Sequence, residues 1–289
     1  MLRISEISFP GFGIDWFNVK SEAFTIFGAS IAWYAIIIAF GMVMAVIYTI
    51  MRAKKIGIAF EDVIDFALCA IPIGVCGARL YYVLTKLDEF HSFMDLINIR
   101  NGGLAIYGGI IGGALAVFGV CMFKKIRFLA FADCCTPGVI LAQSIGRWGN
   151  FMNGEAFGYD TDIFCKMGLN NELTGFVTKY VHPTFLYESL WNLVGFILIN
   201  IFYKHKKYDG QILLLVFGWY GLGRMFIEGL RTDSLYTTIF SLTFRTSQVL
   251  AALILIACVG LLVYFAFKPP YKDFYVKPPK VEEQAKKKG

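Results

Sequence analysis

Charge is what this chain has least of. Of its 289 residues only 17% are Asp, Glu, Lys or Arg, while 57% are apolar and the mean hydropathy is +0.61. Soluble domains carry about a quarter charged residues, so this scarcity excludes an ordinary soluble globule and places the chain in a bilayer. Histidine is scarcer still. There are three, scattered, and neither they nor the cysteines show zinc or iron–sulfur spacing, so no metal and no cofactor is expected. A disulfide pattern is missing as well: Cys69, Cys76, Cys121, Cys134, Cys135 and Cys258 lie in or at the ends of apolar runs, where a thiol acts as a small hydrophobe. Only Cys165 falls in a polar stretch, and it has no mate nearby. Met1-Leu2-Arg3 is not followed by an apolar core and a small-residue cleavage site, so no removable signal peptide is expected. No internal repeat argues for two homologous halves.

What is present is a set of seven apolar runs, each near the roughly 20 residues that a helix needs to span a membrane. They cover about 25–51, 63–84, 104–123, 128–146, 183–203, 211–228 and 247–267. The fold class expected is therefore all-α, a polytopic membrane protein of about seven helices. Three links are short and basic, at Arg52/Lys54/Lys55, Lys124/Lys125/Arg127 and Lys204/Lys206/Lys207. With seven lysines between Lys268 and Lys288, they put sixteen of the 27 Lys and Arg on one side. The positive-inside rule then sets the N-terminus outside and the C-terminus in the cytoplasm. A net charge of +6 raises nucleic acid as a partner, but a basic tail beside an apolar segment is more simply read as facing anionic lipid. One transmembrane domain is expected over 1–267, with a small external head at about 150–181. Residues 268–289, rich in Pro and Lys, are expected to form a disordered cytoplasmic tail.

The few polar residues inside the runs are informative, because charge at membrane depth is expensive and points to function by default. With the N-terminus outside, Tyr34, Arg79, Tyr107, Arg147, the stretch His182-Pro183-Thr184 with Tyr187-Glu188, and Arg224 with Glu228 all fall toward the outer ends of six different runs. Arg231 lies one helical turn beyond. Each admits a plain structural reading too. Arg224 and Glu228, four apart, could form only an internal ion pair; Arg147 could snorkel; His182 could cap its helix and Glu188 pair with a nearby arginine. Arg79 is more simply structural, and Gly108, Gly109, Gly112 and Gly113 suit close helix packing. The stretch Gly146-Arg147-Trp148-Gly149-Asn150-Phe151-Met152-Asn153-Gly154-Glu155-Ala156-Phe157-Gly158 mixes residues that a helix interior disfavours, so it is expected to turn tightly at the membrane surface. Asn150 and Asn153 could hold that turn by side-chain-to-backbone bonds. Arginines at the outer face call for an anion that resides there, and guanidinium binds phosphate in a bidentate way. A phospholipid head group fits. The charges alone do not separate catalysis from transport of a lipid or anionic solute.

The pattern G-R-x-G-N-F-x-N-x-E-x-x-G over Gly146–Gly158 resembles the signature of the prolipoprotein diacylglyceryl transferases. The resemblance extends over Asn101–Gly109, over His182-Pro183-Thr184-Phe185-Leu186-Tyr187-Glu188, and over Gly223-Arg224-Met225-Phe226-Ile227-Glu228-Gly229-Leu230-Arg231. It implies a bacterial inner-membrane enzyme with its active site toward the outer leaflet. Such an enzyme moves the diacylglyceryl group of phosphatidylglycerol onto the lipobox cysteine that follows the signal peptide of a prolipoprotein, and glycerol 1-phosphate is released. By that resemblance Arg147 and Arg224 hold the phosphate, and Asn150, Asn153, Glu155 and Gly158 orient the glycerol head group or Arg147. Tyr34 meets lipid or peptide, Glu228 holds Arg224, and Arg231 and His182 complete the lipid site. Many members carry histidine where this sequence has Tyr107, so Tyr107 falls at a catalytic position. A phenol with a pKa near 10 is a poor base unless arginines lower it; the alternative is that the cationic field alone favours the thiolate.

Overall fold

The computed structural model describes residues 4–27, 29–90, 92–98, 102–232, 236–239 and 242–268. The expected tail beyond Lys268, together with Arg3, Arg100 and Asn101, lies outside them. Among the described residues eight α-helices are seen: α1 (Trp33–Lys54), α2 (Phe60–Thr85), the short α3 (Phe93–Ile97), α4 (Ile106–Lys124), α5 (Phe128–Asn153), α6 (Thr184–Phe202), α7 (Gln211–Glu228) and α8 (Thr246–Phe267). The seven long ones stand at the seven apolar runs. Six are long and apolar enough to cross a membrane; α7 falls outside that set. It is only 18 residues long and carries Arg224 and Glu228, so the charges that suggest function also dilute its hydropathy.

Two starts and ends differ from expectation. The first helix begins at Trp33 rather than near 25, because β3 (Glu22–Ile26) and β4 (Ala29–Ala32) pair as an antiparallel hairpin before it. Their residues are mostly apolar and partly β-branched, a composition that serves a strand as well as a span. The glycine-rich stretch after Ile145 turns later than its start suggests: α5 continues to Asn153, and the chain turns at Gly154 and Ala156, both with positive φ. Gly146 and Gly149 serve close approach instead. A Cβ at Gly149 would come within 2.7 Å of the Tyr34 ring, and one at Gly146 within 3.0 Å of Ile38 Cδ1.

The described residues divide into two compact units, one of residues up to 45 with those from 135 onward and the other of residues 46–134. Within the second, α2 and α4 pair through glycine: Cβ atoms at Gly108 and Gly77 would overlap the opposing backbone, the close packing that small-xxx-small spacing allows. Lys124 at the end of α4 bonds Asp62 (2.7 Å) and Asp65 (2.5 Å) near the start of α2, so the two helices run antiparallel. Arg79 of α2 gathers the following segment. Its guanidinium donates to the carbonyls of Asp95, Leu96, Gly102 and Gly103 and lies over the rings of Tyr82 and Phe90. These contacts suit the structural reading of Arg79.

Within the first unit, the head is a four-stranded antiparallel sheet. Its order is β2 (Ile14–Lys20), β1 (Ile4–Phe9), β5 (Met167–Asn170), β6 (Lys179–Val181). The head expected from 150–181 alone thus takes two strands from the N-terminal residues. Ile7, Leu169 and Val181 are fully buried and pack with Phe185, Phe151 and Phe157, each such burial contributing roughly 1.5–3 kcal/mol. Asn171 ties sheet to helix, donating to Ser5 Oγ (3.0 Å) and to the carbonyl of Gly154 (2.9 Å), just beyond α5. A last hairpin, β7 (Tyr236–Ile239) with β8 (Leu242–Arg245), precedes α8.

Candidate active site

Three helix ends meet in the first unit. The last turns of α5 bring Arg147 and Asn150, the first turn of α6 brings Glu188, and the end of α7 brings Arg224 and Glu228. Glu188 is the hub. Its carboxylate is 2.6 Å from Arg147 Nη2, 3.3 Å from Arg224 Nη1 and 3.1 Å from Arg231 Nη1. Arg224 also pairs with Glu228 at 2.6 Å, so the internal ion pair forms, but as one edge of a larger cluster. Arg147 Nη1 donates to Asn150 Oδ1 (3.3 Å), and Asn150 and Asn153 each donate to Glu155 Oε1 (3.1 and 3.0 Å). The asparagines therefore bond a side chain rather than pin a turn through the backbone. Tyr34, lying on Gly149, stands in the field of both Glu155 and Arg147. Arg245 donates to the carbonyl of Glu228 and, at 3.1 Å, to Tyr159 Oη.

Four arginines (147, 224, 231, 245) thus stand among three glutamates (155, 188, 228). Arg147 is the most open of the hub's arginines, with 22% of its side chain exposed against 15% for Arg224 and 10% for Arg231. The arrangement suits an anion approaching Arg147 first. Guanidiniums fixed in advance by shared carboxylates need little reorganisation when charge develops in front of them.

Gly158 sits in the backbone beside the cluster. It bridges Arg231, its N–H donates to the carbonyl of His182, and a Cβ there would fall 2.7 Å from both His182 Cβ and Leu230 O. Its bareness lets residues 157–160 cross between 180–182 and 230–232, and so seats Arg231. His182 does not cap α6, whose N-cap is Pro183. Its Nδ1 lies 3.3 Å from Tyr187 Oη, which in turn is 3.4 Å from Cys165 Sγ. Burial pushes the His182 imidazole below the ordinary histidine range. Tyr107 belongs to the other unit, on the first turn of α4, its ring 6.4 Å from that of Tyr81.

The family model for prolipoprotein diacylglyceryl transferase matches residues 21–264. The chain belongs to that family. The phosphatidylglycerol–prolipoprotein diacylglyceryl transferase of Clostridioides difficile is 47% identical over 74% of this chain and 84% of its own. Enzyme 1 of that name from Clostridium perfringens is 44% identical over 83% and 93%, and the Enterococcus faecalis enzyme 41% over 93% and 97%. This diacylglyceryl transferase is accordingly an enzyme of the membrane, and the transporter reading gains no support. Two residues that matter to its cluster were not singled out by the sequence as site residues. Glu188 was visible only as an intramembrane acid with an unnamed partner; Arg245 was one basic residue among many until β8 carried it to Glu228.

Proposed function

We propose that this transferase takes phosphatidylglycerol as donor and the lipobox cysteine of a signal-peptide-bearing prolipoprotein as acceptor, at the outer leaflet of the bacterial inner membrane. The observation that supports it is the meeting of three guanidiniums on Glu188, with Arg147 the most exposed of them. Arg147 receives the lipid phosphodiester. Asn150, Asn153, Glu155 and Tyr34 surround the glycerol, with Arg231 and Glu188 behind. The cysteine thiol gives up its proton, and its sulfur forms a bond to the glycerol carbon that carries the phosphate. That carbon–oxygen bond breaks, its electron pair goes to the phosphate oxygen, and glycerol 1-phosphate departs, able to carry the thiol proton. Negative charge grows on phosphate along this path, so Arg224 and Arg147 stabilise the transition state more than the bound lipid, which is the condition for raising rate. Tyr107 is kept as a candidate proton acceptor, and the cationic field as the other means of favouring thiolate.

The test is transfer from acyl-labelled phosphatidylglycerol to a lipobox peptide by the purified protein. Label on the cysteine peptide, none on its Cys→Ser form, and a fall of about 10²–10³ in kcat/KM for Arg147→Ala are expected. No label with folded wild-type protein overturns the activity. Label undiminished by Arg147→Ala keeps the enzyme and overturns the phosphate site.

A further inference from the structure

Below the hub, α6 and α7 are joined by a feature with its own symmetry. Each helix carries Trp-x-x-x-Gly: Trp191 with Gly195, and Trp219 with Gly223. The Trp191 indole N–H donates to the carbonyl of Trp219 at 3.0 Å, and the Trp219 indole N–H donates to the carbonyl of Trp191 at 2.9 Å. The two rings stack between them, 4.4 Å apart and inclined by 18°. A Cβ on Gly195 would overlap the Trp219 indole, and a Cβ on Gly223 the Trp191 indole.

The spacing has a chemical reason. In a helix the carbonyl of residue i accepts from the N–H of residue i+4, so each tryptophan carbonyl already serves the glycine four residues on. A carbonyl has a second lone pair, and a bare glycine at i+4 leaves room for a side chain from the other helix to reach it. Each indole uses that opening on its neighbour. Stacked aliphatic helix faces tolerate scatter of about 15–20° in crossing angle. Two indoles hydrogen-bonded in opposite senses fix both the axial register and the rotation.

That register ends at the arginine cluster. Trp191 lies about one turn after Glu188, and Gly223 is the residue before Arg224. Arg224 Nη1 reaches the two carboxylate oxygens of Glu188 at 3.3 and 3.4 Å. A one-residue slip of either helix moves it about 1.5 Å along its axis and turns its side chains by about 100°, which would part the pair. We infer that the Trp191–Trp219 clasp positions Arg224 against Glu188 for the transfer reaction. The inference rests on the reading of Arg224 as stabiliser of the departing phosphate. Trp191, Trp219, Gly195 and Gly223 are positioning residues: they act through Arg224 and touch no substrate.

The experiment is the same transfer assay on the full-length protein, comparing wild type, Trp191→Phe, Gly223→Ala, Arg224→Lys and the two doubles that combine a clasp change with Arg224→Lys. Trp191→Phe keeps a stacked ring and removes one hydrogen bond. It should lower kcat about tenfold, the size of one lost bond, with the KM for phosphatidylglycerol changed less than about twofold. In the Arg224→Lys background the same change should alter kcat by less than about threefold, because the group that the clasp serves is already compromised. Equal fold-losses in both backgrounds would assign the clasp to helix packing alone and overturn the inference, as would full kcat in Trp191→Phe. Should Gly223→Ala fail to fold, the Trp191→Phe pair decides. Inactive wild type would instead remove the transferase reading and the clasp with it, and a fully active Arg224→Lys would remove Arg224 as the clasp's target.

Discussion

Arg79 and Arg147 are both arginines near the ends of apolar helices, and the protein holds them in opposite ways. Arg79 spends its donors on four backbone carbonyls and lies over two aromatic rings. Those acceptors are neutral, fixed by the chain itself, and belong to the segment that leads to α4. Arg147 shares one carboxylate with two other arginines and leans on an asparagine that is itself committed to Glu155. An arginine consumed by carbonyls organises a loop. An arginine that shares a carboxylate and keeps 22% of its side chain exposed can still meet a guest.

The contrast can be broken most directly at the hub. Glu188→Gln keeps the shape but removes the charge that three arginines share, so kcat for peptide transfer should fall by about 10- to 100-fold, within the range for displaced transition-state donors. The KM for phosphatidylglycerol should stay level or drop, since the cluster becomes more cationic. A raised KM with unchanged kcat would reverse the assignment. At Arg79 the expectation is of another kind. Arg79→Lys keeps the charge and loses the planar fork, and bonds from a charged donor are worth about 1.5–3 kcal/mol each. The melting temperature should fall by several degrees, while transfer per folded molecule changes less than about tenfold. A larger loss of turnover without loss of stability would make Arg79 part of the chemistry.

The smallest effect should come from His182. Burial holds its pKa below the value it has in the unfolded chain, so the unfolded state binds more protons and stability rises with pH. The contribution is present above about pH 6.5 and is lost as pH falls through that value toward the lower folded pKa. Melting curves at pH 5 and pH 8 should show the difference, and His182→Gln should flatten it while leaving the KM for phosphatidylglycerol unchanged. A KM that drops on acidification only when His182 is present would place its charge in the anion site.

The helices were legible because a bilayer demands long apolar runs, and seven such runs are hard to hide. The elements around them were not. The hairpin at 22–32 shares its composition with a span, so only pairing reveals it. The stretch 146–158 suggested a turn because propensity counts against its glycines, yet α5 runs past Gly146 and Gly149, with Ile38 and Tyr34 pressed against them, and the turn comes only at Gly154. Tertiary contact overrides local preference there. Arg147, Arg224, Arg231 and Glu228 could be named from depth and spacing. Glu188 as a hub could not, because its three partners come from α5, α7 and the segment after α7, and no one-dimensional spacing joins them.

The head sheet carries a consequence for biogenesis. Its N-terminal strand, Ile4–Phe9, pairs with Met167–Asn170, and the side chains of Glu6 and Asn170 meet across 164 residues of chain. At a translation rate of about 5–20 residues per second, the first strand waits roughly ten to thirty seconds for its partner. Its early hairpin with Ile14–Lys20 can form at once, leaving the other edge open to any passing strand in the meantime. Five helices must emerge from the ribosome before that edge is sealed.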